Sequence, residues 1–195
     1  METTIYLVRH AESPFVFGEE RTRGLSEEGM AAAQRVAEIL AGEEIHAIVS
    51  SSYVRAIQTV QFLAGKKGLK IEEYDELRER AIKGLDYKIS EKELVQAIEQ
   101  SFTDHEFALE GGESTGQAQQ RAIPVINVLL QKYRGRSLAI GTHGNIMTAI
   151  LSYYDKSYGF DFWKSTSKPD IYKLIFHEDR LQSVERMWSE PEELH

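Results

Sequence analysis

The chain has 195 residues, 42% of them hydrophobic and 28% charged, with a net charge of −8. That composition suits one soluble globular domain with a real core, read here as residues 1–195. It excludes disulfides and thiolate metal sites, because there is no cysteine, and a basic nucleic-acid surface, because there is no Lys/Arg run.

No stretch reaches the roughly 18 apolar residues that span a bilayer. The start, Met1-Glu2-Thr3-Thr4, lacks the basic n-region of a signal peptide, so the expected location is the cytoplasm. Residues 4–9 read as a strand. Ser26 predicts an N-cap, and Met30, Ala33, Val36, Ala37 and Leu40 then recur at helical spacing until Gly42. Residues 45–50 form a second apolar run, followed by a helix over 53–63 with Val54, Ile57 and Val60 on one face. Gly65 and Gly68 bracket a turn before a third strand at 69–74.

The middle, about 80–110, is mixed and polar and reads as a helical insertion over the sheet, with one helix at 90–102 capped by Ser90. Leu94, Val95 and Ile98 make its apolar side. A further helix runs from Ser114 to about Tyr133, turning Val125, Val128 and Leu129 inward and holding Pro124. A strand at 137–142, a helix near 145–154 and two late strands at 170–176 and 181–187 complete the order, before a solvated tail from Ser189 to His195. The alternation predicts an α/β fold of three layers, α/β/α, with a mostly parallel sheet and an antiparallel edge.

Two histidines occupy the same local setting. His10 follows Ile5-Tyr6-Leu7-Val8-Arg9, and His143 follows Leu138-Ala139-Ile140-Gly141-Thr142. Each stands where a buried strand stops, and in open α/β sheets the ligand crevice lies outside those carboxyl ends. Arg55 enters from a third strand-to-helix junction, in the first turn of its helix, where a cation opposes the helix dipole unless an anion binds there. Two arginines and two histidines around one anion suit phosphoryl transfer. Guanidinium groups grip phosphate oxygens and keep a nearby imidazole neutral and nucleophilic. In the run from Tyr74 to Arg80, Glu79 or Glu76 would protonate a leaving alcohol, and spacing alone does not choose between them.

These residues fall into an ordered set of motifs: Arg9-His10-Ala11-Glu12-Ser13, Leu25-Ser26-Glu27-Glu28-Gly29, Ser51-Ser52-Tyr53-Val54-Arg55-Ala56-Ile57-Gln58-Thr59, Leu77-Arg78-Glu79, Gly111-Gly112-Glu113-Ser114 and Thr142-His143-Gly144. The set resembles the histidine phosphatase superfamily, which includes cofactor-dependent phosphoglycerate mutases and many small phosphatases. The resemblance implies His10 as the phosphorylated nucleophile, Arg9, Arg55 and His143 around the phosphoryl group with Gly144 and Ser13 beside them, and Glu79 as proton donor. It implies no metal and no other cofactor. The partner is a small phosphate ester, with neither nucleic acid nor membrane.

Three positions depart from the family pattern. Ala11 replaces a glycine, Val16 stands where an asparagine often contacts phosphate, and Gly84-Leu85-Asp86-Tyr87 only partly echoes a later motif. Arg21 and Arg23, in a polar loop, are either surface residues or compensating phosphate ligands. Tyr6 and the Phe15 to Phe17 stretch are candidates for an apolar leaving-group site. The short chain favours hydrolysis over mutase-type phosphoryl return; a non-catalytic phospholigand-binding module is the alternative from another class.

Overall fold

A computed structural model describes residues 1–191. Its single sheet contains β1 (Glu2–Arg9), β2 (Ala47–Ser51), β3 (Ile71–Tyr74), β4 (Ser137–Thr142), β5 (Asp170–His177) and β6 (Arg180–Arg186). The order is β3-β2-β4-β1-β5-β6. Strands β1 to β4 pair in parallel, while β5 and β6 extend the β1 side antiparallel, so the antiparallel edge is two strands wide.

The helices are α1 (Glu27–Leu40), α2 (Val54–Lys67), α3 (Glu91–Thr103), α4 (Thr115–Lys132), α5 (Gly144–Tyr154) and α6 (Phe160–Ser165). Serine caps begin three of them as the sequence predicts: Ser26, Ser90 and Ser114 each accept a backbone N–H from the third helical residue. Ser114 and Gln117 close a full capping box. Helix α2 runs on through Gly65, and the chain turns only at Gly68, whose φ of 65° ends the helix. Four-residue spacing explains a second difference. Ala118, Ala122, Ile126 and Leu129 form the buried stripe of α4, which leaves Val128 on the opposite side at 53% exposure. The short helix α6 has no buried residue and carries too few turns to show a period.

Alternation along the central strands feeds two cores. Ile5, Leu7, Ala47, Val49, Leu138 and Ile140 face α4 and α5, whereas Tyr6, Val8, Ile48 and Ala139 face α1 and α2. Tyr6 is thus a core residue, 2% exposed, and not part of a leaving-group site; its hydroxyl donates to Glu43. The predicted tail is anchored at its start, because Trp188 is 7% exposed beneath Arg35 and the Ser189 carbonyl accepts from Arg35. Residues 192–195 of that prediction lie outside the described residues.

The connectivity positions a crevice. The chain steps from β1 to β2 to β3 with α1 and α2 on one face, then returns through α4 to insert β4 between β2 and β1, with α4 and α5 on the other face. The direction of winding reverses at β1 and β4, which is where an open α/β sheet leaves room for a ligand. Phe176 of β5 is fully buried against the Tyr154 ring. Phe176→Ala should destabilise the fold by about 3–5 kcal/mol, read as a lowered urea midpoint with an unchanged slope.

Candidate active site

His10 and His143 meet at the reversal point. The parallel register pairs Arg9 with Thr142, and the His10 N–H donates to the Thr142 carbonyl at 2.9 Å. The residues that follow the two strands are therefore neighbours, with imidazole centres 5.2 Å apart and planes tilted by 60°. Both rings are buried, at 5% and 0% exposure. His10 Nδ1 lies 2.7 Å from the Ala11 carbonyl. A carbonyl oxygen only accepts, so Nδ1 carries the proton and Nε2 keeps its lone pair. His143 Nε2 lies 2.8 Å from the Ser51 hydroxyl at the end of β2, while its Nδ1 is buried with no hydrogen-bond partner among the described residues.

Two buried guanidinium groups flank the imidazoles. Arg55, 1% exposed, lies on the inner face of the first turn of α2, and its Nε sits 3.4 Å from His10 Nε2. Its terminal nitrogens donate to the carbonyl and carboxylate of Glu20. No acidic residue lies in that first turn, so Glu20, from the 12–25 loop, provides the counter-charge that the helix end lacks. Arg9, 7% exposed, donates through Nη1 to Thr166, and its Nε has no partner among the described residues. Gly144 permits this arrangement: a Cβ there would come within 2.6 Å of the Arg9 guanidinium carbon.

Glu79 reaches the same place from the segment after β3. Its carboxylate accepts the N–H groups of Arg80 at 2.9 Å, Asn145 at 3.1 Å and Ile146 at 2.8 Å, so it sits on the N-terminus of α5. Its charge is felt by Arg9, Arg55 and Lys168. Glu76 is exposed, and its carbonyl accepts from Arg121. The geometry thus separates two glutamates that spacing left equal.

The remaining candidates divide. Arg23 is drawn inward: its side chain is 13% exposed, it donates to the Ser13 carbonyl at 2.9 Å, and its charge reaches Arg55, His143 and Lys168. The Ser13 hydroxyl donates to the Gly24 carbonyl at 2.6 Å, which closes the base of that loop. Arg21 is exposed and committed to Asp75 at 2.7 Å and to Ser52. Ala11 is fully buried, with its N–H on Thr59, and Val16 lies at the surface between Phe15 and Phe17, both largely exposed.

Sequence reasoning missed Glu20, Tyr53, Thr166 and Lys168. Tyr53 packs its ring edge-on to His143 and under Arg55. Thr166 and Lys168 precede β5, whose Asp170 pairs with Arg9, so antiparallel pairing carries this segment past the end of β1 toward His10. Lys168 is exposed as a residue, yet desolvation of its ammonium, then Arg9 and Arg23, hold it below the usual lysine range.

Burial, then Arg55, pushes His10 well below the usual imidazole range; burial, then His10 and Arg55, does the same for His143. Both rings are neutral near pH 7. The site therefore offers an aligned imidazole lone pair, a second imidazole, two buried guanidinium groups and a carboxyl. Among the described residues, no group of three or more His, Cys, Asp or Glu is arranged to hold a metal ion.

Comparison with known proteins gives the family of the chain. The family model described as histidine phosphatase superfamily (branch 1) matches residues 5–188. Phosphoglycerate mutase-like protein 4 from Arabidopsis thaliana is 31% identical over 159 residues, covering 75% of this chain and 68% of that protein. Metal-independent phosphoserine phosphatase from the same plant is 30% identical over 161 residues, covering 76% and 67%. The solved structure of mycobacterial glucosyl-3-phosphoglycerate phosphatase superposes with a TM-score of 0.74 at 20% identity, covering 95% of this chain and 97% of that one, a likeness of fold. With a family match across nearly the whole described length, the chain belongs to the histidine phosphatase superfamily.

Proposed function

We propose that this protein is a metal-independent phosphomonoesterase acting on a small phosphorylated metabolite in the cytoplasm, through a phosphohistidine at His10. The observation that carries this reading is the tautomer of His10: with Nδ1 donating to Ala11, Nε2 carries the lone pair, which faces the Arg55 Nε–H at 3.4 Å. Nε2 attacks phosphorus and the ester P–O bond breaks. The Glu79 carboxyl, in its acid form, gives a proton to the departing alkoxide. Water then attacks phosphorus, the P–N bond to His10 breaks, Glu79 takes the water's proton, and inorganic phosphate leaves. Arg9, Arg55 and His143 face the charge that spreads over the phosphoryl oxygens. Side-chain cations thus supply the electrostatics that a metal would otherwise provide.

Hydrolysis is favoured over mutase-type return because the insertion is a single helix, and the loop from 12 to 25 is exposed along much of its length. Lys168 and Arg23 supply positive charge beyond the two arginines that grip phosphate. They favour esters carrying a second anionic group, as do the names of two relatives, a phosphoserine phosphatase and a glucosyl-3-phosphoglycerate phosphatase.

Phosphate release from an aryl phosphate should proceed in excess chelator and fall by about 10³-fold or more in His10→Ala. Acid-quenched turnover of labelled substrate should leave label on His10. Unchanged activity in the variant would overturn the assignment. Lys168→Ala should raise KM for phosphoserine by about tenfold more than for phenyl phosphate; equal effects on both esters would remove Lys168 from substrate recognition.

The histidines also predict a pH effect on stability. Both titrate below the ordinary 6.5 in the folded chain, so the unfolded chain binds more protons as pH falls past that value. Stability is full above it and declines below it, through the lowered folded values. Melting temperature should drop between about pH 7.5 and about pH 5, and the drop should be shallower in His143→Asn. Inorganic phosphate, by pairing with the protonated rings, should recover part of it in the native protein.

A further inference from the structure

Arg80 is 2% exposed, and among the described residues its guanidinium contacts no carboxylate. Nη1 donates to Thr115 Oγ1 at 2.6 Å, and Nη2 donates to Ser101 Oγ at 2.8 Å and Asn145 Oδ1 at 3.0 Å. The guanidinium carbon lies 4.7 Å from the centre of the Phe102 ring. Burial holds Arg80 down to about 10. A buried cation whose hydrogen-bond acceptors are all neutral is costly, even with the charges of Glu79 and Glu113 nearby, so its retention calls for an explanation beyond packing.

Its acceptors are themselves oriented. Thr115 donates its hydroxyl hydrogen to the Ser101 carbonyl, and Ser101 donates its own to the Ile98 carbonyl. Each hydroxyl therefore turns a lone pair toward Arg80. The three acceptors belong to α3, α4 and α5, so one planar fork ties the insertion to two helices of the main fold. The carboxylate of Glu79 meanwhile rests on the backbone N–H groups of Arg80, Asn145 and Ile146. Two of those three donors, Arg80 and Asn145, are joined through their side chains. The bond between them closes a ring: Glu79 to the Asn145 backbone, Asn145 amide to Arg80 guanidinium, Arg80 backbone to Glu79.

We propose that Arg80 is a positioning residue for proton transfer: by locking Asn145 and the start of α5 to its own backbone, it fixes the cradle in which the Glu79 carboxyl meets the leaving oxygen. This rests on the reading of Glu79 as proton donor. Arg80 does not touch the substrate and acts through Glu79. A lysine in its place keeps the charge but presents one nitrogen on a flexible stem, too little to hold three acceptors in a plane.

Leaving-group dependence separates this role from a merely structural one. Dinitrophenolate departs without a proton, whereas the alkoxide of glycerol phosphate needs one. The ratio of kcat/KM for the two esters reports the quality of proton delivery. Glu79→Gln should lower kcat/KM for glycerol phosphate by about 100-fold more than for dinitrophenyl phosphate. Arg80→Lys and Asn145→Ala should each shift the ratio the same way by about tenfold or more, and Arg80→Lys should add no further shift in the Glu79→Gln background. Asn145→Ala carries the test should Arg80→Lys fail to fold, since it leaves the bonds of Arg80 to Thr115 and Ser101 in place. Equal losses on both esters in the Arg80 and Asn145 variants, with the ratio still displaced in Glu79→Gln, would overturn the positioning role and leave the donor standing. An undisplaced ratio in Glu79→Gln would overturn the donor itself, and the role of Arg80 with it.

Discussion

The parallel pairing of β1 with β4 is the constraint on which the site depends. Side chains alternate with a period of two, so a slip of one residue would turn Ile5 and Leu7 toward α1 and α2 and reverse every contact of the strand. Burying each of these aliphatic side chains contributes about 1.5–3 kcal/mol, and together they hold one register. That register sets Arg9 beside Thr142 and brings the two imidazoles to 5.2 Å. The distance between two imidazoles more than a hundred residues apart is thus a property of the hydrophobic core.

The charge of the site runs against the charge of the molecule. The chain carries −8, yet Arg9, Arg23, Arg55 and Lys168 converge where the strands end. Long-range attraction of an anionic ester is therefore weak, and selectivity rests on short-range, desolvated contacts. Glu20 and Glu79 hold the cations together, and they differ in kind. Glu20 comes from a loop, is 46% exposed and grips Arg55 directly. Glu79 is anchored by three backbone donors. A phosphate bound as proposed would share Arg55 with Glu20, whose exposure makes it the more easily displaced of the two.

The fold was legible where local physics decides. Serine caps announced α1, α3 and α4, and short apolar runs announced the strands. Legibility failed where tertiary contacts decide. Val128 belongs to an apolar run but falls off the buried stripe of α4, and Gly65 looks like a turn but lies inside α2. Within the site, His10, His143, Arg9 and Arg55 stand at strand and helix ends that the sequence marks clearly. Spacing could not separate Glu79 from Glu76, because the distinction is made by backbone N–H groups of α5, some 65 residues away in the chain. Lys168 and Thr166 carried no local signal; only the antiparallel pairing of β5 with β1 brings them to His10.

That division has a chemical meaning. The groups assigned to the reaction sit at the carboxyl ends of β1, β2 and β4, on the adjoining helix turns or, for Glu79, in the segment after β3, where hydrogen bonds and core packing restrain them. The groups that would meet the rest of a substrate, namely Arg23, Phe15, Phe17 and Lys168, belong to the 12–25 loop and the segment before β5. Loops of this kind change without disturbing the register of the sheet. Reaction type is consequently written into elements whose pattern a sequence displays, and substrate identity into segments whose meaning depends on how they lie over the strand ends. A change of substrate in this fold then requires only new loop residues, whereas a change of chemistry requires a new strand end, and hence a new core.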